Sequence, residues 1–265
     1  MKTTEEDAKR KRAATDPIEK ANQKSDDQFI KEHLCPSDST WTSWTHPSTG
    51  VQYSIALIGA RNLSSSDLDA CYSLIEETSR ADYESSTTGW KPVKKIAEMK
   101  SPELRYILVK NAEGIVRGFT SLMPTYEEGE PVVYCYEIHL KTELQRTGLA
   151  RLLMSFLGSV ASHTPPIKKI MLTCFLSNQR ALKFYESAGF SPDPISPVPK
   201  KLRYGREFIP DYVIMSAFGT HAKAYPLSIM AGMALGAITQ ATQGLPGAER
   251  LQQLQNLALG EMGDD

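Results

Sequence analysis

From Val132 to Leu140 β-branched and aromatic residues crowd together, and from Leu149 onward apolar positions recur at spacings of three and four, through Leu152, Leu153, Phe156, Leu157 and Val160. The first pattern predicts a strand and the second an amphipathic helix, with a short loop between them. Downstream, Ile167 to Phe175 predicts a second strand. Upstream, Gln52 to Ile58 predicts a strand, and Ser64 to Asp67 offers capping side chains ahead of Leu68, Cys71, Leu74 and Ile75 on one helical face. Gly89-Trp90-Lys91-Pro92 reads as the turn that ends this helix. Arg105 to Lys110 and Val116 to Met123 predict two strands joined by a hairpin turn at Asn111 to Gly114. Glu127 to Glu130 reads as an acidic loop, the four prolines between Ser191 and Pro199 exclude helix and central strand, and Tyr212 to Phe218 predicts the last strand. At the two ends the pattern is weaker. Asp16 to Leu34 predicts a helix with Ile18, Ala21, Phe29 and Ile30 on its apolar side, and Ala248 to Leu259 a short helix.

These elements divide the 265 residues into a polar, basic N-terminal arm (1–44), one domain of catalytic size (45–218) and a tail rich in Ala, Gly, Gln and Leu (219–265). With 30 basic and 31 acidic residues the net charge is −1, so no global charge argues for a nucleic-acid or membrane partner. Cys35, Cys71, Cys135 and Cys174 are scattered, without a Cys-x-x-Cys or an initial apolar leader, which leads us to expect a reducing compartment, cytoplasm and nucleus. The cluster Lys9-Arg-Lys-Arg12 could serve nuclear import or form a histone- or nucleic-acid-facing arm, but Glu5, Glu6 and Asp7 sit beside it and basic runs are usually just solvated. The longest apolar run, Pro226 to Ile238, is broken by glycines and shorter than the ~20 residues of a membrane-spanning helix.

The candidate chemistry lies between the 132–140 strand and the helix that follows. Small residues at Gly148 and Ala150 let main chain approach a ligand, and the first turn of a helix offers unpaired N–H groups and the positive end of its dipole, a site for a pyrophosphate. Glu137 is the candidate base, because an unpaired carboxylate inside a strand is costly unless it is exposed, paired or used. His139, two residues along on the same face, is a second candidate ranked below it. Strict alternation places Tyr134 and Tyr136 on the face opposite Glu137. Asn178 reads as a helix cap that also touches a ligand.

Gln145, Gly148 and Ala150 fit the pattern Gln/Arg-x-x-Gly-x-Gly/Ala, which resembles the coenzyme A signature of the GCN5-related N-acetyltransferase (GNAT) superfamily, and Asn178 with Phe184-Tyr-Glu-x-x-Gly-Phe190 resembles its second conserved helix. The resemblance implies an α+β (α/β/α) fold with a mixed, mostly antiparallel central sheet flanked by helices, a bulge in the 132–140 strand that would change the parity of strict alternation, and acetyl-CoA as co-substrate with no metal. Within the superfamily, Tyr134 to Leu140, Gly89-Trp90-Lys91 and Lys168 to Thr173 are similar to the histone-specific N-terminal acetyltransferases, the N-alpha-acetyltransferase D family, over residues 14–217. That resemblance implies transfer of an acetyl group to the α-amine of an N-terminal Ser in core histones beginning Ser-Gly-Arg-Gly.

By position, the resemblance implies Glu137, Tyr136 and Tyr185 as catalytic, Tyr185 as the donor of a proton to the leaving thiolate. It implies main chain of Ile138, His139 and Leu140 along the pantetheine arm, and Gln145, Arg146, Thr147, Gly148, Leu149, Ala150 and Arg151 at the pyrophosphate, with Thr173 and Asn178 beside the cofactor. It implies Tyr83, Trp90, Tyr134, Tyr136 and Tyr212 around the terminal Ser-Gly, and Glu127 facing the substrate Arg. Departures are Thr125, where an acidic substrate contact is expected, Ala150 for the more usual Gly, and the tail after Gly219. The expected partners are histone tails, with no direct nucleic acid and no membrane, for a monomer whose association with the ribosome stays open. Two other readings stay open: a GNAT enzyme acting on lysine or a small amine, and a non-catalytic module that binds acetyl-CoA or histones.

Overall fold

The structure, a computed structural model, describes residues 16–35, 39–201, 203 and 207–218. The basic cluster at 9–12 and the tail from 219 onward lie outside the described residues. Strands β1 (Ser43–Thr45), β2 (Gln52–Gly59), β3 (Arg105–Lys110), β4 (Val116–Glu127), β5 (Glu130–Leu140), β6 (Lys169–Phe175), β7 (Ser191–Pro192) and β10 (Tyr212–Phe218) form one sheet in the order β1-β2-β3-β4-β5-β6-β10-β7. A separate short hairpin pairs β8 (Lys200–Lys201) with β9 (Glu207–Phe208). Every pairing in the large sheet is antiparallel except β5 with β6, which are parallel and joined by a helical crossover.

The helices are α1 (Pro17–Asn22), α2 (Asp26–Phe29), α3 (Ser65–Ser85), α4 (Pro92–Met99), α5 (Leu149–Ser162) and α6 (Gln179–Ser187). Nearly all of β3 is buried, so its alternate side chains feed both faces of the sheet. Tyr106 and Leu108 join Cys71, Leu74 and Ile75 of α3, Met99 of α4 and Phe119 of β4 in one apolar cluster. The α5 helix, whose Leu149, Leu153, Phe156, Leu157 and Val160 are all buried, packs on β4, β5 and β6.

Four features depart from the sequence pattern. The predicted helix over Asp16–Leu34 is broken: Ser25 caps a new helix, α2, by a reciprocal box with Gln28, and Ile30–Leu34 continues it as a π-helical turn. This segment does not stand off as an arm. Ile18, Ala21, Phe29 and Leu34 are buried, and Arg105 holds it by an ion pair to Asp26 at 2.7 Å and by its guanidinium over the Phe29 ring at 4.1 Å. Second, β4 runs through Pro124 to Glu127, and the acidic stretch is a tight hairpin in which Glu128 and Gly129 both take positive φ. Third, α4 was not predicted. Pro92 sits in its first turn, where a missing N–H costs nothing. Fourth, β5 carries a bulge: Ser121 faces Glu137 and Leu122 faces Cys135, so Tyr136 is the extra residue.

Candidate active site

Strands β5 and β6 pair only from Val132↔Lys169 to Cys135↔Leu172. Beyond that point they part. The remainder of β5 keeps its bonds to β4 (Ile138↔Thr120, His139↔Phe119, Leu140↔Gly118), and the remainder of β6 keeps its bonds to β10 (Thr173↔Ile214, Cys174↔Val213, Phe175↔Tyr212). Each strand therefore turns one unsatisfied main-chain edge toward a wedge between them, and main-chain N–H and C=O groups need partners. An extended ligand carrying amides can supply them as an added strand does.

The wedge opens into a cleft of about 660 Å³. One part of it is lined by Gln145, Arg146, Gly148, Ala150 and Arg151 at the start of α5, with Asn178 and Arg180 at the start of α6. Gln145 donates to the Leu140 carbonyl at 2.9 Å, which fixes the loop to the end of β5. Arg146 at φ 63° and Gly148 at φ 90° are both left-handed, a conformation that wraps consecutive amides around an anion. A Cβ added at Gly148 would meet no protein atom within 4 Å, so the space beside it is open. Asn178 accepts from Ala181 N at 3.0 Å as the cap of α6. The residues present thus fit a long amide-bearing ligand with a diphosphate head.

Two residues of the predicted phosphate loop do not bring side chains to the cleft. Thr147 turns its hydroxyl back to the Leu144 carbonyl at 2.6 Å, and Leu149 is fully buried in the α5 core. Only their main chain can take part.

At the inner end of the wedge the bulge places Tyr136 and Glu137 together on the cleft, where strict alternation had separated them. Glu137 is buried, with Lys95 Nζ of α4 at 2.9 Å from Oε1 and His139 Nε2 at 2.5 Å from Oε2. Burial alone would push the Glu137 carboxyl up, but His139 and Lys95 outweigh it and hold the pKa below the ordinary value. Burial likewise acts to lower the Lys95 pKa and is overcome by Glu137, Tyr83 and Glu98, leaving it raised. His139 Nδ1 in turn lies 2.6 Å from Thr78 Oγ1 on α3.

Aromatic rings wall this end. Tyr83 stands edge-on to Phe175 with centroids 4.9 Å apart, packs against Trp90 at 5.3 Å, and lies under Lys95 Nζ at 5.1 Å. Tyr136 packs on Tyr134 at 5.2 Å, and the Tyr134 hydroxyl bonds Thr173 Oγ1 at 2.6 Å. Tyr83, Tyr136 and Thr173 line the cleft. Trp90 and Tyr134 instead pack against the lining rings of Tyr83 and Tyr136, and Tyr212 is the strand partner of Phe175. Glu127 sits at the far end of β4, near enough for its charge to act on both Tyr134 and Tyr136. Tyr185 of α6 lines the cleft, and burial pushes its phenol well above the ordinary value. Cys135 and Cys174 also line it, but burial raises both to about 12, so neither is a thiolate near neutral pH.

A parallel pair that opens halfway into a wedge, with a left-handed Gly loop at its mouth, decides the architecture. The fold is that of the GNAT acetyltransferases. Residues 68–190 match the acetyltransferase (GNAT) family. The chain is 34% identical over 167 residues to N-alpha-acetyltransferase 40 of Saccharomyces cerevisiae, a match covering 52% of this chain and 58% of that protein. It thus spans little more than half the length of this curated relative. Solved structures that resemble it include NAA60 of Arabidopsis thaliana in complex with a bisubstrate analogue (13% identity, TM-score 0.46, 62% of this chain and 99% of that one). Another is a spermidine N-acetyltransferase of Vibrio cholerae in complex with CoA and spermine (17% identity, TM-score 0.44, 63% and 97%).

Lys95, Thr78, Phe175 and Arg180 are site residues that sequence reasoning did not single out. For Lys95 the available signal was Pro92, which marks a helix start three residues earlier.

Proposed function

We propose that this protein moves the acetyl group of acetyl-CoA to the free α-amine of a protein N-terminus, a small residue such as Ser at the head of a Ser-Gly-Arg-Gly histone tail. The observation that carries the reading is Glu137: a buried carboxylate, kept anionic by Lys95 and His139, on the wall of an aromatic pocket where the β5–β6 wedge ends. The likeness to N-alpha-acetyltransferase 40 of Saccharomyces cerevisiae supports it.

Main chain of Ile138 to Leu140 would hold the pantetheine arm, and the α5 loop with Arg146, Arg151 and Arg180 the diphosphate. The bound co-substrate supplies an activated acetyl thioester. Glu137, directly or through a water, takes the proton of the incoming ammonium. An α-amine, with a pKa of about 7.7–8.0 against ~10.4 for lysine, asks little of that base. As the amine nitrogen bonds to the acetyl carbon and the C–S bond breaks, Tyr185, held protonated by burial, gives its proton to the departing thiolate and is reprotonated by the second proton the nitrogen sheds on becoming an amide. Neither cleft cysteine is a thiolate, which favours direct transfer over an acyl-cysteine relay. Tyr83 and Tyr136 limit the pocket to a small first residue, and Glu127, with Glu98 and Glu103 acting on the same Tyr136 phenol, faces the basic residue that follows. Thr125 offers no carboxylate there, so Glu127 carries the Arg contact.

Acetyl-CoA and two peptides that begin Ser-Gly-Arg-Gly and carry an internal lysine, one with a free and one with a blocked terminal amine, test this by mass spectrometry. Acetylation of the free terminus alone is expected. Modification of an internal lysine in the blocked peptide would point to the lysine or small-amine reading, and no turnover to a binding module.

A further inference from the structure

Strand β3 pairs with β4 only as far as Arg105↔Leu122. Beyond that point Met123–Glu127 has β5 on one side and, among the described residues, no strand on the other. Pro124, which brings no N–H to a ladder, suits that open edge. A two-stranded ribbon is marginally stable by itself, so its end depends on what holds it. On the β5 side Lys169 grips the tip through Glu130 at 2.6 Å. On the β4 side the N-terminal segment takes over where β3 stops. Arg105, the residue that closes the β3–β4 ladder, also donates to the Asn22 carbonyl at 3.3 Å and the Lys24 carbonyl at 2.6 Å. Asn22 Nδ2, at the end of α1, donates to the Pro124 carbonyl at 2.8 Å, and the Tyr126 hydroxyl donates to the Asp16 carboxylate, 3.1 Å from each oxygen.

Alternation along β4 sets Tyr126 on one face and Met123, Thr125 and Glu127 on the other. Met123 packs against the apolar cluster of α3, α4 and β3, as do Trp90 and Tyr136. Glu127 therefore shares the face of the aromatic pocket, and the N-terminal segment holds the ribbon at its edge and on the opposite face. We propose, resting on the functional reading above, that Asn22 and Tyr126 are positioning residues for substrate recognition. Through Pro124 and Asp16 they fix the end of β4 so that Glu127 meets the basic residue of the substrate. Neither touches the substrate. A carboxylate–guanidinium contact depends on the alignment of both planes, and a ribbon end free to swing would keep the charge nearby but lose that alignment. The base is insulated from the brace: Glu137 faces Ser121, which β3 still flanks through Tyr106. The N-terminal segment thus serves specificity and leaves the chemical step alone.

Asn22→Ala and Tyr126→Phe, singly and together in the full chain, test this with acetyl-CoA and peptides beginning Ser-Gly-Arg-Gly or Ser-Gly-Ala-Gly. Tyr126 is 43% exposed, so loss of its hydroxyl leaves the core intact. KM for the Arg peptide is expected to rise about threefold in each single variant and about tenfold in the pair, with kcat unchanged and the Ala peptide unaffected. Because the brace acts through Glu127, the same substitutions are expected to change nothing further in a Glu127→Gln background. Independently of turnover, hydrogen exchange over residues 124–133 should quicken in the paired variant while the rest of the sheet exchanges as before. An undiminished preference for the Arg peptide, an equal loss with both peptides, an effect that persists in Glu127→Gln, or unaltered exchange in the ribbon overturns the brace alone. A parent that acetylates neither peptide, or both equally well, overturns the reading of the site on which it rests.

Discussion

Lys95 Nζ lies 2.9 Å from Glu137 Oε1, with both side chains only 9% exposed, although 42 residues separate them. The pair joins α4 to the bulged strand and fixes the charge state of the candidate base. Because the folded pKa of Glu137 is depressed, its contribution to stability is fully present above the unfolded value of about 4.3 and is lost as pH falls through the lower folded one. Lys95→Met leaves the carboxylate with His139 alone and is expected to lose about 3 kcal/mol at neutral pH, read from the urea midpoint. The loss should shrink at about pH 3, where protonation removes the bare charge.

Gly148→Ala tests the mouth of the cleft. The left-handed backbone costs a residue with a Cβ about 1–2 kcal/mol, and no protein atom lies within 4 Å to add a clash. The new methyl enters the open space instead. Calorimetric titration with CoA should show affinity lower by about tenfold or more in a protein that still melts cooperatively.

Glu127→Gln separates recognition of the second half of the substrate from chemistry. KM for a Ser-Gly-Arg-Gly peptide should rise by about tenfold with kcat unchanged, while a Ser-Gly-Ala-Gly peptide should show no difference between the two proteins. The same KM in the parent should climb with added salt.

Tyr185→Phe removes the proposed proton donor and keeps its ring, which packs on Phe184 at 5.3 Å and Phe190 at 5.8 Å. A fall of about 10- to 100-fold in kcat with stability retained is expected. Since burial holds the phenol protonated, kcat of the parent should show no alkaline decline from this group below about pH 9.

What the sequence made legible was local. The strand–loop–helix around Gly148, the Asn111–Gly114 turn and the cap at Asn178 each follow from residues within a few positions of one another, and all stand in the fold. The α4 helix was missed because its apolar positions, Val93, Ile96 and Met99, span under three turns and follow a Gly-Trp-Lys-Pro that reads as a turn. Without α4, nothing in the sequence brings Lys95 to Glu137. Strict alternation puts Tyr136 on the wrong face, and only the resemblance implied otherwise: a bulge is a relation between two strands, set where Leu122 and Ser121 meet Cys135 and Glu137, and the pattern along one strand cannot contain it. Thr147 and Leu149 fit the phosphate-loop pattern, which counts main-chain positions and says nothing of where their side chains go.

Glu137→Gln addresses the central claim most directly, since the amide keeps the size and the hydrogen-bonding reach of the carboxylate but cannot take a proton. Measured side by side, CoA affinity should match the parent while kcat for the free-amine peptide falls by about 100-fold or more. Turnover equal to that of the parent would contradict the assignment of Glu137 as the base.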